Sequence, residues 1–161
     1  MQNFKANRFD FCVRRLHYAI DDIYVDYDIS EGMAWEVEVS DEFGEWWDAL
    51  DAAEQKSVDF TVTLLSEAGP TLKMPHSSGI ETSRHNHMRE LRIQHEGRPY
   101  RVLYAFDPRR TAILLIGGDK TGNNRWYEEY VPQADNIYDQ HLKELESELS
   151  KDSSPSTGDT H

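Results

Sequence analysis

The sequence contains a single cysteine, Cys12, among 161 residues. That excludes an internal disulfide and fits a reducing compartment. No apolar run approaches the roughly 18 residues that a membrane span needs. The opening stretch MQNFKANRFDFCVRRLHYAIDD lacks the continuous apolar core of a secretory leader, so the expected location is cytoplasmic. Apolar residues are also scarce, at 38%, which is low for a chain folded from end to end. The expectation is one domain with ends outside its core: an N-terminal extension of uncertain role over 1–33, a domain over 34–149, and a disordered polar tail over 150–161.

Basic residues are outnumbered, 17 against 30 acids, for a net charge of −13. Taken as a sum, this argues against nucleic acid as a partner. The distribution says otherwise. Residues 34–70 carry 1 basic and 10 acidic side chains, and 126–161 carry 2 and 9, whereas 71–125 carry 10 basic against 5 acidic. Four histidines, His76, His85, His87 and His95, lie in that same basic stretch. An island of this kind is a candidate surface for holding phosphates, although an ordinary mixed surface is the plainer alternative.

Along the chain, residues 1–33 show no clean helical or strand period, and Met33 stands directly before the strand-like AWEVEV. The first 33 residues therefore read as a dispensable segment or an over-long start. Trp35–Val39 alternates as a strand. Ser40 is placed to cap a helix with Asp41 and Glu42 in its first turn, and Phe43, Trp46, Trp47 and Leu50 form one face. Asp51 can cap a second helix bearing Val58, Val62 and Leu65, which Gly69-Pro70 stops. This pair predicts a helical hairpin on one sheet face, with the tryptophans in the core rather than as a binding platform. Residues 71–83 read as a long polar loop.

Met88–Gln94 and Tyr100–Phe106 predict antiparallel strands. A two-residue Gly97-Arg98 turn would pair Gln94 with Arg101 and leave Arg92 as its diagonal neighbour, roughly 7–8 Å away. Both arginines then face away from the helical hairpin. TAILLI, 111–116, is apolar on both parities and predicts a central strand. The polar run from Gly117 to Arg125 leaves that strand. Pro132 opens the expected last helix, with Tyr138, Leu142, Leu145 and Leu149 on one side.

Two strand arginines on one face, with Lys120 just past the neighbouring strand, suit metal-free phosphodiester cleavage. Arginine grips phosphate oxygens as a fork and lysine adds a point charge. Together they can stabilise a pentacoordinate phosphorus. The proton carriers stay open among His85, His87 and Tyr127. Surface ion pairing, with Glu90 neutralising Arg92 or Arg101, is the plainer reading of the arginines. His85 and His87, with or without His76, make a weak metal signal, and none is expected. Gly117–Gly122 lacks the spacing of a phosphate-binding loop.

Several strings resemble the RelE/ParE toxin superfamily, and within it the HigB-like branch that includes phage Gp49-like proteins. They are WWDALDAAEQKSV, LLSEAGPTLKMP, SRHNHMRELRI, YRVLYAFDPRRTAILLIGGDKTGNNRWY and VPQADNIYDQHL, together spanning about residues 34–145. The resemblance implies an α+β, RelE-like fold: a small antiparallel sheet, an N-terminal helical hairpin on one face and a C-terminal helix. It implies the toxin of a type II toxin–antitoxin pair, a cofactor-free endoribonuclease that cuts mRNA in the ribosomal A site and leaves a 2′,3′-cyclic phosphate. The implied partners are a HigA-like helix-turn-helix antitoxin, in a hetero-oligomeric complex, and the ribosome with its mRNA. By position, Arg101 is the phosphate-stabilising arginine, Lys120 the basic residue after the last strand and Tyr127 the aromatic hydroxyl. Arg89 and Arg92 stand for the basic cluster on the preceding strand. The candidate catalytic set is thus Arg101, Lys120, Arg92, Tyr127 and His87, with Arg84, His85, Arg89 and Arg125 as RNA contacts. A ParE-like inhibitor of DNA gyrase shares the implied fold, and a decayed, non-catalytic toxin that only binds its antitoxin is the other alternative.

Overall fold

The computed structural model describes the backbone of residues 15–20 and 23–28, and residues 35–153 in full. Strands β1 (Arg15–Ile20) and β2 (Ile23–Asp28) pair antiparallel as a two-stranded sheet of their own, a hairpin where the sequence shows no clean period. The rest of the expected N-terminal extension, and the tail beyond residue 153, lie outside the described residues.

The main sheet has five strands in the order β3-β7-β6-β5-β4: β3 (Val37–Val39), β4 (Ser77–Gly79), β5 (Arg89–His95), β6 (Arg98–Phe106) and β7 (Ala112–Asp119). It is mixed rather than wholly antiparallel, because β3 runs parallel to β7. The connection between them contains two helices, enough chain for a crossover that a tight hairpin could not provide. The supposed loop 71–83 contributes β4, an edge strand on β5.

Helix α1 (Asp41–Ala49) starts where Ser40 Oγ accepts the Phe43 amide at 3.0 Å. The same hydroxyl donates to the Leu115 carbonyl, so one side chain caps the helix and ties it to β7. Helix α2 (Ala52–Ala68) begins with a capping box. Asp51 accepts the Glu54 amide at 2.8 Å and Glu54 accepts the Asp51 amide at 3.1 Å. Gly69, at φ 58°, ends it. The hairpin buries Phe43, Val58, Val62 and Leu65 against Leu91, Ile93, Tyr100, Val102, Tyr104 and Leu114. Trp46 and Trp47 pack at its margin, in the core role expected of them.

The opposite face is covered by α3 (Trp126–Asp152), whose Trp126, Val131, Ala134, Ile137 and Tyr138 bury Met88, Leu103, Ala105, Ile113 and Leu115. This helix begins six residues before Pro132, which lies in its second turn and forfeits only the bond to the Glu128 carbonyl. It also continues through Ser150 and Lys151, into the expected tail.

Two further departures shape the site. The β5–β6 turn is Glu96-Gly97, both at positive φ (49° and 76°), as a type I′ hairpin requires. Relative to a Gly97-Arg98 turn the register moves by two residues. Leu91 pairs with Val102, Ile93 with Tyr100, and Arg92 stands directly opposite Arg101. A two-residue shift keeps every side chain on its face, so the hydrophobic pattern could not distinguish the two turns. The second departure is in β7, which runs on through Gly117 and Gly118. A bulge in register between Leu103 and Tyr104 leaves Leu115 and Ile116 in the same apolar cluster. That is one reason the strand reads as apolar on both parities.

Candidate active site

Glu90 is the hub of a polar cluster under the start of α3. It follows the buried Met88 in alternation on β5, and so lies on the α3 face, where it is itself buried. Its Oε1 accepts from Ser78 Oγ at 2.8 Å and from Arg92 Nη1 at 2.9 Å. Its Oε2 accepts from the Tyr127 hydroxyl at 2.7 Å, and Arg101 Nε lies 3.7 Å from the same oxygen. Arg101 is only 4% exposed, and its Nη1 donates to the Tyr100 carbonyl at 2.9 Å. Its Nε has no hydrogen-bond partner of ordinary length among the described residues. The expectation of a solvent-facing arginine is therefore corrected. Arg101 faces away from the helical hairpin, but Glu90 and the start of α3 close over it.

Lys120 follows β7 and is held by its amide on the Pro99 carbonyl, with Nζ 5.1 Å from the centre of the Tyr127 ring. Burial raises the Tyr127 pKa and the bond to Glu90 adds to that, while Arg101 pulls it back in part. The net effect keeps the phenol protonated well above neutral pH. The cluster thus joins a buried carboxylate, two guanidinium groups, an ammonium group and a protonated phenol. Its approach from solvent is past Arg92, 31% exposed, and the half-buried Lys120 and Tyr127.

Close approach explains the glycines of β7. A Cβ on Gly117 would sit 2.2 Å from the Trp46 ring, and one on Gly118 would sit 2.7 Å from Trp126 Nε1. Gly118 pairs with Arg101, so the bare backbone opposite the arginine is where the Trp126 indole lies.

The remaining candidates are elsewhere. His87 and His85 stand at the other end of the α3 face. His87 Nε2 is 3.0 Å from the Tyr138 hydroxyl, which donates to the Phe106 carbonyl at 2.8 Å. The phenol's one proton is thus used, so the histidine is the donor. Phe106 is five residues from Arg101 along β6, roughly 17 Å at about 3.4 Å per residue. Burial and the neighbouring His85 lower the His87 pKa, leaving it neutral at pH 7. His85 Nε2 pairs with Asp139 at 2.7 Å, and Arg84 binds Asn136 and Asp139 on the same helix. Arg89 has the opposite parity to Arg92 and points to the hairpin face, where it donates to the Leu72 carbonyl at 3.1 Å. Arg125 is exposed and paired with Glu128 at 2.8 Å. Among the described residues no group of three or more His, Cys, Asp or Glu side chains is placed to hold a metal ion.

Sequence reasoning treated Glu90 only as a neutraliser and missed Ser78. The available signal was Glu90's position in a strand alternation, two residues from Arg92, which puts both on one face.

The family described as "Phage derived protein Gp49-like (DUF891)" matches residues 45–139, which include the second half of α1, all of α2, the whole Glu90 cluster and the first half of α3. "Putative toxin HigB2" of Mycobacterium tuberculosis is 35% identical over 120 residues, 73% of this chain and 59% of that protein. The chain thus spans less than two thirds of this relative's length. "Putative toxin HigB3" of the same organism is 45% identical over 91 residues, 56% of this chain and 78% of that protein. With more than half of its length matched by the family and such identity to both relatives, the chain belongs to the Gp49-like family and is a HigB-like toxin homologue.

Proposed function

We propose that this chain is the toxin of a toxin–antitoxin pair and acts as a metal-independent mRNA endoribonuclease with a RelE-like arrangement, working on translating ribosomes. The observation that carries the proposal is the Glu90 cluster, in which a carboxylate and a protonated phenol meet 2.7 Å apart beside two arginines and a lysine. Glu90 is the base that takes the proton of the ribose 2′-hydroxyl. The 2′-oxygen attacks phosphorus and the bond to the 5′-oxygen breaks, giving a 2′,3′-cyclic phosphate and a 5′-hydroxyl. Arg92 and Arg101 hold the charge that builds on the phosphoryl oxygens. Tyr127 is placed to protonate the leaving oxygen, with Lys120 supporting the phenolate that results. His87, with Tyr138 at the far end of the face, takes no part in this scheme. The relatives' toxin names support an antitoxin partner for this chain, and a HigA-like helix-turn-helix protein is the proposed one.

The test is primer extension on a message translated in a reconstituted system with the purified full chain. Glu90→Gln should lower cutting by about 10²–10³-fold, and Tyr127→Phe by about 10²-fold. Arg101→Lys serves where Arg101→Ala, which leaves Glu90 without its buried neighbour, fails to fold. Undiminished cutting by Glu90→Gln would refute the assignment of the base. Intact message together with DNA damage signalling would favour gyrase inhibition instead. Growth unaffected by the wild-type chain would favour a non-catalytic antitoxin binder.

A further inference from the structure

A groove of about 590 Å³ runs between α2 and the part of β5 that β4 does not cover. The last paired residues of β4 and β5 are Ser77 and Leu91, after which the Arg92 amide donates to the His76 carbonyl at 2.9 Å and β5 continues to His95 paired with β6 but no longer with β4. Lys56, Phe60, Pro75, His76, Arg92 and Gln94 are prominent in its lining.

Three observations point to one class of occupant. First, among the described residues none of the lining side chains is acidic, although the chain as a whole carries a charge of −13. Lys56 is the one basic residue in 34–70, against ten acids there, and it stands in this groove without an ion-pair partner among the described residues. Second, Phe60 is 53% exposed on α2, where the helix's apolar positions otherwise face the core. An exposed ring beside cations is the combination on which a nucleobase stacks while its phosphate is held. Third, the groove and the Glu90 cluster share a residue at the sheet edge. Arg92 gives Nη1 to Glu90 and also lines the groove.

We infer that this groove is a subsite for the RNA strand adjoining the cleaved phosphate, with Phe60 stacking on a base and Lys56 and His76 facing a neighbouring phosphate. The inference rests on the nuclease reading for its substrate, but its test is of binding and does not require cutting. An extended acidic peptide is the competing occupant. The mixture of an open aromatic face with flanking cations favours RNA.

The experiment uses the full chain and a fluorescein-labelled RNA of about 12 nucleotides, 2′-O-methylated so that it cannot be cut, read by anisotropy at low salt. Phe60→Ala should weaken binding about tenfold and Lys56→Ala about threefold, while Phe60→Trp should keep it. Phe60→Leu, which retains bulk without a π face, should behave like Phe60→Ala. Thermal midpoints close to wild type, expected for so exposed a side chain, establish folding. Equal binding by wild type, Phe60→Ala and Lys56→Ala would overturn the inference. So would loss of antitoxin binding by Phe60→Ala with RNA binding intact, which would assign the groove to a protein. Phe60-dependent binding by a wild-type chain that cuts no translated message would uphold the subsite and refute the nuclease reading.

Discussion

The α3 face carries two polar clusters built from the same residue types, and they differ in the ratio of cations to carboxylates. At the β7 end, Glu90 alone faces Arg92 and Arg101, with Lys120 stacked beyond Tyr127. At the other end, Asp107, Asp135, Asp139 and Glu38 meet Arg84, Arg109, His85 and His141. The second cluster is matched group for group, and its carboxylates also close the backbone. Asp107 accepts the amides of Arg109 and Thr111, and Asp135 accepts the Arg84 amide and the Ser83 hydroxyl. Carboxylates each paired with a basic side chain, and two of them also bonded to backbone amides, fasten a turn and a loop to a helix. A surplus of cations around one carboxylate leaves positive charge for an anion to use. Residue type alone therefore does not mark a site. Stoichiometry does.

That contrast can be broken most forcefully at Asp107. Asp107→Ala removes the buried carboxylate that His141, Arg109 and the Thr111 amide share, leaving Arg109 only Glu38, and should cost about 3–5 kcal/mol in urea unfolding. The fraction that remains folded should still cut RNA, because the Glu90 cluster is elsewhere. Next, Gly117→Ala drives a methyl into Trp46 on the hairpin side and should cost about 1–3 kcal/mol in the same assay, again without reaching the catalytic groups. The fastening cluster should also set the acid limb of stability. Burial raises the Asp107 pKa, but bonds from His141, Arg109 and the Thr111 amide outweigh it and hold the carboxyl below its ordinary 3.8. A group depressed on folding stabilises above its unfolded pKa and loses that contribution as pH falls through the folded one. Stability should therefore fall below about pH 4 in the wild type and less steeply in Asp107→Asn, as measured by thermal melts across pH. The smallest effect belongs to Arg84→Ala. An exposed arginine on Asp139 contributes about 0–1 kcal/mol, and cutting should be unchanged. Arg92→Ala, by contrast, should impair cutting while its stability stays within about 1–3 kcal/mol of wild type.

The starts of α1 and α2, the end of α2 and the sheet faces were legible in the sequence because each depends on neighbours within a few residues, whereas Pro132 marked neither the start nor the end of α3. Ser40, Asp51 and Gly69 cap or stop helices through contacts of that range, and the alternation of β5 and β6 placed Arg92 and Arg101 on the correct face. Features that depend on a distant partner were not legible. The β4 strand exists only because β5 offers an edge. The parallel β3–β7 pairing depends on how the hairpin crosses over. Arg89 lay near Arg92 in sequence, but strand geometry sends the two to opposite faces. The pairing of His85 and His87 with α3 depends on Tyr138 and Asp139, more than 50 residues further on.

The seat of Trp126 on Gly118 bears on how the proposed activity could be tuned. Trp126 is the first residue of α3 and Tyr127 the second, so the depth at which the indole settles on bare backbone governs where the phenol meets Glu90. Glycine, alanine and serine at position 118 would form a graded series of shims under the helix, each lifting the Tyr127 phenol from the Glu90 carboxylate by a further increment. An engineer wanting to weaken the proposed activity with every residue of the Glu90 cluster intact would begin beneath the tryptophan.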